Sequence, residues 1–468
     1  MGLAEILAIV MVVALCGLLM AGYPVALTLG GVSLAFALLG HLLGVMNFAF
    51  LGALPQRVFG VMTNEVLLAI PLFVFMGVML ERSGIAEELL ETMGRLFGAL
   101  RGGLGLSAVI VGTLLAAAKG VVGATAVTMG LIVLPAMVRH GYDPRLAAGT
   151  VAATSTLAQI FPPATVLVLL GDQINSAYQS AQLAKGVFAP ESVSIADLFA
   201  GAIVPGFALV GFYILYLVGM AVFRPESSPA VPPQPGAPSG LALARRLVEV
   251  LVAPVLLILI VLGSILGGLA TPTESASLGA VGAIVLALVK NRADKSFRNT
   301  VLMPVMAKTT HIATMIFTIL IGATFFSLVF RGLGGDDMVH RALDNLPGGP
   351  AGAVLAVMIA MFLLGFVMDA FEIIFVVVPI VAPALLKMEG IDPVWLGIMM
   401  AVNLQTSYMH PPLGPTLFYL RGVAPPEITT KHIYVGIIPF VLIQLVALVV
   451  LWFWPDLATW LPRKLYGG

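Results

Sequence analysis

The chain has 468 residues, of which 60% are hydrophobic and 10% charged, with 23 basic and 23 acidic side chains that cancel. Its mean hydropathy is +1.08. Soluble domains carry about 25% charged residues, so this composition excludes a water-soluble enzyme or binding domain and reads as a polytopic membrane protein. The zero net charge gives no case for nucleic acid or a polybasic anchor, and the single Cys16 cannot form an internal disulfide.

Ile6 to Gln56 contains no Asp, Glu, Lys or Arg, and neither do Leu198 to Phe223, Pro393 to Leu420 or Tyr434 to Trp454. A spanning helix needs about 20 apolar residues, so the chain reads as roughly ten to twelve spans with some shorter segments. Glu5 stands where a cleavable signal would carry basic residues, and the apolar run behind it is too long for one, so this segment reads as a retained first helix. An apolar pair around 3–45 is followed by a helix around 66–81 that ends at Arg82 in a charged, Gly-containing turn.

Two short apolar segments, 103–118 and 120–138, meet at Lys119 and the run Gly120-Val-Val-Gly123-Ala-Thr125-Ala-Val-Thr128. Small residues and hydroxyls at such a junction suit a hairpin tip at membrane depth, where non-helical backbone must be surrounded by protein or a water-filled cavity. The hydroxyls and exposed carbonyls are hard ligands for a small cation. A plain Gly/Ala/Thr packing face is the other reading. Lys119 can snorkel, pair with a carboxylate or meet an anionic substrate.

After Gly141-Tyr-Asp143-Pro144, a helix carries Thr154, Ser155, Thr156 and Gln159 into Pro162-Pro163. Proline removes a donor and frees the carbonyl four residues earlier, here near 158 or 159, so the span reads as broken, or as a kink satisfied by neighbouring hydroxyls. The half closes with one long span.

Arg224 to Arg246 holds Pro232-Pro233 and Pro235-Gly236 and reads as a linker between halves 1–223 and 247–468. Arg224, Arg245, Arg246, Lys290, Arg292, Lys295 and Arg298 place this linker and the 290–298 loop in the cytoplasm, and the acidic 172–197 stretch on the other side.

The second half repeats this order. Asp392-Pro393 follows Asp143-Pro144 by 249 residues, Pro411-Pro412 follows Pro162-Pro163 by 249, and Gly30/Gly279 and Arg82/Arg331 share the offset. Broken apolar segments at matching positions of two halves point to a transporter's binding site. In Ala270-Thr-Pro-Thr-Glu274, Thr273 reads as an N-cap with Glu274 in the first turn. At the hairpin position, Asp369 and Glu372 share a helical face, suited to cations or protons, or to capping. Asn403, Gln405, Thr406 and Ser407 precede the second break, whose freed carbonyls fall near 407 or 408. No HExxH, CxxC or Walker motif occurs, so neither a metalloprotease nor an ATP-driven pump is supported.

Several stretches, taken together, resemble the large membrane (M) subunit of TRAP (tripartite ATP-independent periplasmic) transporters from about residue 20 to 450. They are Leu68-Ala-Ile-Pro-Leu-Phe73 to Ile85, Gly120-Val-Val-Gly-Ala, Gly141-Tyr-Asp-Pro, Gln159-Ile-Phe-Pro-Pro, Ala270-Thr-Pro-Thr-Glu, Met368-Asp to Val378-Pro-Ile and His410-Pro-Pro-Leu-Gly. Val-Val-Gly-Ala and Phe-Glu-Ile-Ile-Phe-Val-Val-Val-Pro are similar to the branch labelled mannitol/chloroaromatic, associated with 2-oxo acids, lactate and related carboxylates.

The resemblance implies an all-α membrane protein of two inverted-topology repeats with re-entrant hairpins and broken helices. Hairpin 1 lies near 103–138 with a broken helix at 145–172, and hairpin 2 near 351–387 with one at 393–421. It implies an elevator-type, sodium-coupled symporter of the bacterial inner membrane, without other cofactor or enzymatic activity. Its expected partners are a small four-helix (Q) subunit and a periplasmic substrate-binding protein that delivers a small carboxylate. Sodium would be bound near Gly120, Gly123, Thr125, Thr154, Ser155 and Thr156, with a second ion near Asp369, Asn403, Gln405, Thr406 and Ser407. Substrate would meet Lys119, Thr128, Gln159, Pro162, Pro163, Glu372, Pro411 and Pro412. The chain departs from the family at Lys119, where a hydroxyl is common. It also has Thr154-Ser-Thr-Leu-Ala158 for Ser-Gly-Thr-Leu-Gly and Ala164 for the serine after Pro-Pro. The competing readings are a stand-alone sodium/anion symporter of the divalent-anion or citrate type and, more remotely, an intramembrane enzyme.

Overall fold

The computed structural model describes residues 2–231, 241–291 and 296–467, the side chains of Ala86, Lys119 and residues 241–244 excepted. The proline-rich centre of the expected linker, 232–240, and the basic residues Arg292 and Lys295 therefore lie outside the described residues. The described chain is helical, without strands.

The first half contains α1 (Leu3–Met20), α2 (Val25–Leu42), α3 (Leu54–Met62), α4 (Ala69–Arg82), α5 (Ile85–Phe97), α6 (Gly103–Lys119), α7 (Val122–Arg139), α8 (Pro144–Thr156), α9 (Thr165–Ala184) and α10 (Ile195–Phe223). The second contains α11 (Leu241–Leu266), α12 (Pro272–Lys290), α13 (Met303–Gly332), α14 (Gly335–Asp344), α15 (Gly349–Leu364), α16 (Ala370–Lys387), α17 (Pro393–Ser407), α18 (Pro415–Val423), α19 (Thr430–Phe453) and α20 (Asp456–Tyr466). Among the described residues nine helices are long and apolar enough to cross a membrane, or ten if the pair bent by 50° at residues 63–64 is one span. Nine is one short of the expected ten to twelve and ten is its lower bound, because the broken crossings are made of helices too short or too polar to qualify.

Local chemistry explains where the repeated elements start. Gly141 and Gly390, 249 residues apart, both take left-handed backbone (φ 79° and 82°), which glycine adopts at no steric cost. Two residues on, Asp143 accepts from the Arg145 amide (2.7 Å) and Asp392 from the Val394 and Trp395 amides (2.9 and 3.0 Å). Pro144 and Pro393 then open α8 and α17 at the position where a missing N–H costs nothing.

Two sequence expectations are corrected. The linker does not run to Arg246, since Leu241-Ala-Leu-Ala-Arg-Arg is already helical in α11, as its good helix formers favour. Thr271, not Thr273, caps α12. Its side chain accepts from Glu274 while Glu274 accepts from the Thr271 amide (2.8 Å), because Pro272 occupies the first helical position. Thr273 instead donates to the Glu65 carbonyl (2.8 Å).

The two halves interlock. α4 packs on α12 and α13 on α2, while α7 packs on α18 and α16 on α9, so each half's hairpin leans on the other half's broken helix. α8 and α19 touch through glycines: a Cβ on Gly149 would sit 2.0 Å from the Gly436 carbonyl, and one on Gly436 2.0 Å from the Arg145 carbonyl.

The hairpins open to opposite faces. The Gly102 and Asp143 amides, at the two bases of the α6–α7 hairpin, donate to Ser228 and Ser227 of the linker (2.9 Å each). At the end of the second hairpin, the Leu386 carbonyl accepts from Lys185 (3.3 Å), and Asp392 pairs with Arg463 (3.3 Å). The 29-residue α10 separates these two sets, a distance of about 43 Å at 1.5 Å per residue.

Candidate functional site

Each hairpin tip lies against the proline break of its own half. Pro162-Pro163 and Pro411-Pro412 are cis peptides. At the first break α8 tightens into a 3-10 turn at Leu157–Gln159 before α9 starts at Thr165. Gly120, the left-handed end of α6 (φ 59°), lies against it: a Cβ there would stand 3.1 Å from Thr165 Oγ1 and 3.3 Å from the Pro163 carbonyl. Gly112 leaves room for Thr154, whose methyl would be 2.1 Å from an added Cβ. Residues 103–139 form a helical hairpin whose tip lies against the break.

The second hairpin grips the second break by different chemistry. Asn403 Nδ2 donates to the Met358 carbonyl of α15 (2.8 Å), and Gly365 makes way for Ser407, 2.4 Å from an added Cβ. His410 stacks on Phe366 (3.7 Å between centroids) and meets the Phe362 carbonyl at 3.2 Å. The carbonyl freed at Tyr408 accepts from the Thr416 amide of α18 (3.1 Å).

Between the breaks lies a wholly buried polar network. Gln405 donates to Thr156 Oγ1 (3.3 Å), as does Gln444 of α19 (3.4 Å), and the Gln444 amide also reaches the Tyr213 hydroxyl of α10 (2.7 Å). Gln405 Oε1 and Gln444 Oε1 in this network, and Thr165 Oγ1, Thr416 Oγ1 and both side-chain polar atoms of Gln159 at the breaks, are buried without a protein partner. Burying so many unsatisfied polar atoms is costly unless something else meets them. Neutral carbonyl and hydroxyl oxygens in such number suit a small hard cation. The hydroxyls of Thr154, Ser155, Thr156, Thr406 and Ser407 donate back along their own helices, which leaves the oxygens of all but Thr156, already an acceptor from both glutamines, able to accept or coordinate. Thr125 and Thr128 do the same in α7, donating to the Val121 and Ala124 carbonyls.

Of the residues expected from sequence, Thr154, Ser155, Thr156 and Gln159 are gathered at the first break, with Gly120 at its tip, and Asn403, Gln405, Thr406 and Ser407 at the second. Pro162 and Pro163 are buried, whereas Pro411 is half-buried and Pro412 exposed, so the second break is the accessible one. Gly123 contacts the Tyr419 ring of α18 (3.1 Å from an added Cβ). Asp369 caps α16 through the Ala370 amide (2.7 Å). Glu372 is buried with one oxygen unpartnered, near Asp369 and Cys16 of α1, and directly precedes a π turn at Ile373–Val377. The Lys119 side chain lies outside the described residues. Sequence reasoning missed Gln444, Tyr213, Thr165, Thr416 and Tyr419. For Gln444 a signal existed, a lone amide in an otherwise apolar span; the others are unremarkable until the chain folds.

Residues 12–457 match the family described as tripartite ATP-independent periplasmic transporter, DctM component. The C4-dicarboxylate TRAP transporter large permease protein DctM of Vibrio cholerae is 28% identical over 96% of each chain. Its namesake in Pseudomonas aeruginosa is 30% identical over 88% of this chain and 90% of that one. The ectoine TRAP transporter large permease protein TeaC of Halomonas elongata is 25% identical over 97% and 98%. Among solved structures, the Alcanivorax borkumensis YdaH transporter superposes with a TM-score of 0.62 at 18% identity over 88% of each chain. Neisseria gonorrhoeae MtrF does so with 0.56 at 14% over 88% and 84%. These two likenesses concern the fold alone.

Proposed function

The chain belongs to the DctM component family of the tripartite ATP-independent periplasmic transporters, and from that premise we propose that it is the sodium-coupled permease for a small carboxylate of the 2-oxo acid or lactate kind. It is a multi-pass inner-membrane protein and not an enzyme, and its family works with a substrate-binding protein and a small permease subunit. Cargo specificity in the relatives is broad, from C4-dicarboxylates to ectoine to sialic acid. The carboxylate class rests on the branch-like Gly120 hairpin and the Phe371-Glu372 run.

One observation carries the ion-coupled reading: two polar clusters at one repeat offset, each gripped by a hairpin and joined through Thr156 and Gln405. One sodium ion is held at Gly120, Gly123 and Thr125 with Thr154 to Thr156, and a second at Asn403 to Ser407, Asp369 ordering the adjacent hairpin. The substrate carboxylate meets the accessible Pro411-Pro412 side, with Thr128, Gln159 and Glu372 lining its path. Movement of the interlocked hairpin and broken-helix group against α2, α4, α12 and α13 is the elevator step.

The test is uptake in proteoliposomes holding this chain, its small subunit and the purified binding protein. Uptake driven by an inward sodium gradient and absent without the binding protein is expected. Full uptake without the binding protein would favour a stand-alone anion symporter instead.

A further inference from the structure

A cavity of about 450 Å³ opens away from the transport site, between α5, α11 and α12. Its floor is apolar, made by Ile85, Val250 and Leu286, and its rim carries Arg245, Arg246 and Lys290 with the carboxylates Glu88 and Glu249. The linker face is identified by the Val231 amide, which donates to the Gly98 carbonyl just after α5 (2.7 Å). By the positive-inside rule this face is cytoplasmic. The flank of the cavity continues onto lipid-facing surface, since Val248, Val252, Val285 and Val289 are each at least half exposed.

Arg245, Arg246 and Glu249 of this rim lie near the start of α11 (Leu241–Leu266). Glu88 is engaged by Lys290 and, at 3.8 Å, by Arg246, while Arg245 pairs with Glu249 four residues on (2.9 Å), with side chains 82% and 59% exposed. Such an exposed pair is weak and gives way to a better anion. Three cations face two carboxylates, one positive charge in excess, above an apolar floor at the cytoplasmic membrane edge.

We propose that this cavity binds the headgroup of an anionic phospholipid, with Arg245 and Arg246 on the phosphate and an acyl chain along the apolar floor. Basic pockets between membrane helices on this side suit such headgroups, and a guanidinium fork matches phosphate geometry. The site anchors α11 and α5 to the leaflet.

The test is lipid binding to the purified full chain in detergent, followed by native mass spectrometry with phosphatidylglycerol or phosphatidylcholine. Phosphatidylglycerol is expected to bind at roughly tenfold lower concentration or better. The R245Q/R246Q variant should lose most of that preference, roughly tenfold or more, and E249Q should sharpen it severalfold because it removes a competing carboxylate. Equal binding of the two lipids, or a preference unchanged in both variants, would overturn the proposal. So would displacement of phosphatidylglycerol by millimolar inorganic phosphate alone, which would mark a small-anion site. E249Q keeps the test decisive if the double variant does not fold.

Discussion

Gln405 and Thr156 stand 249 residues apart in the chain and are hydrogen-bonded to each other at 3.3 Å in its interior. The same offset relates the two proline breaks, so two equivalent positions of the duplicated halves touch where a two-fold axis relating the repeats must pass. Gln444 and Tyr213, from the long closing spans, complete the network. A residue on that axis contacts both polar clusters through its neighbours, which makes it sensitive to either.

Gln444→Leu removes the amide donor to the Tyr213 hydroxyl and one donor to Thr156. Losing a partner in a buried network costs about 1–3 kcal/mol. Thermal unfolding in detergent should show a lower midpoint for Gln444→Leu, and Tyr213→Phe in the same background should add little further loss. Strictly additive losses would mean the two side chains are not coupled.

Thr154→Ala and Asn403→Ala should each raise the sodium concentration needed for half-maximal uptake. The loss of one ligand or its support corresponds to roughly ten- to hundredfold, by the strength of hydrogen bonds to charged groups. Asn403 also loses its bond to the Met358 carbonyl, so its variant should lower stability as well. Sodium dependence identical to wild type in both would remove these residues from the ion sites.

Asp369 separates charge from capping. Asn caps as well as Asp, while Ala gives up about 0.5–2 kcal/mol. Asp369→Asn is expected to keep both stability and sodium dependence, and Asp369→Ala to lose stability. A large sodium defect in Asp369→Asn would show that the carboxylate charge itself binds the ion.

Gly436→Ala should be among the most damaging small substitutions in the chain, because its Cβ would lie 2.0 Å from the Arg145 carbonyl on a packed helix. Backbone cannot yield as a flexible side chain does, so α8 and α19 must part and the break they support must shift. Gly30→Ala, with nothing within 4 Å of its added Cβ, is the matched control. Yield of monodisperse purified protein and unfolding temperature would compare them, and equal behaviour would contradict the close approach.

Much of the fold is legible in the chain. Charge-free runs give the spans, Asp-Pro pairs give the helix starts, and Pro-Pro pairs give the breaks, because each acts through local backbone chemistry. The site is legible in part: Thr154 to Gln159 and Asn403 to Ser407 are polar residues in apolar surroundings, which membranes tolerate only with cause. Thr165, Thr416 and Tyr419 carry no such mark, since a hydroxyl or ring at the start of an apolar helix is common. Thr271 was misplaced by two residues because capping depends on which residue adopts extended backbone, and Pro272 settled that.

The sequence by itself determined that this is a duplicated, polytopic membrane protein with broken crossings, since hydropathy and proline act over a few residues and need no distant contacts. Tertiary structure alone decided that equivalent positions of the two halves meet at Thr156 and Gln405, that Gly120 and Gly365 seat the hairpins on the breaks, and that the first break is sealed while the second is open. Those facts depend on contacts between segments more than 200 residues apart or on how helices seal against one another. Packing and the need to satisfy buried polar groups fix them, and no local pattern encodes either.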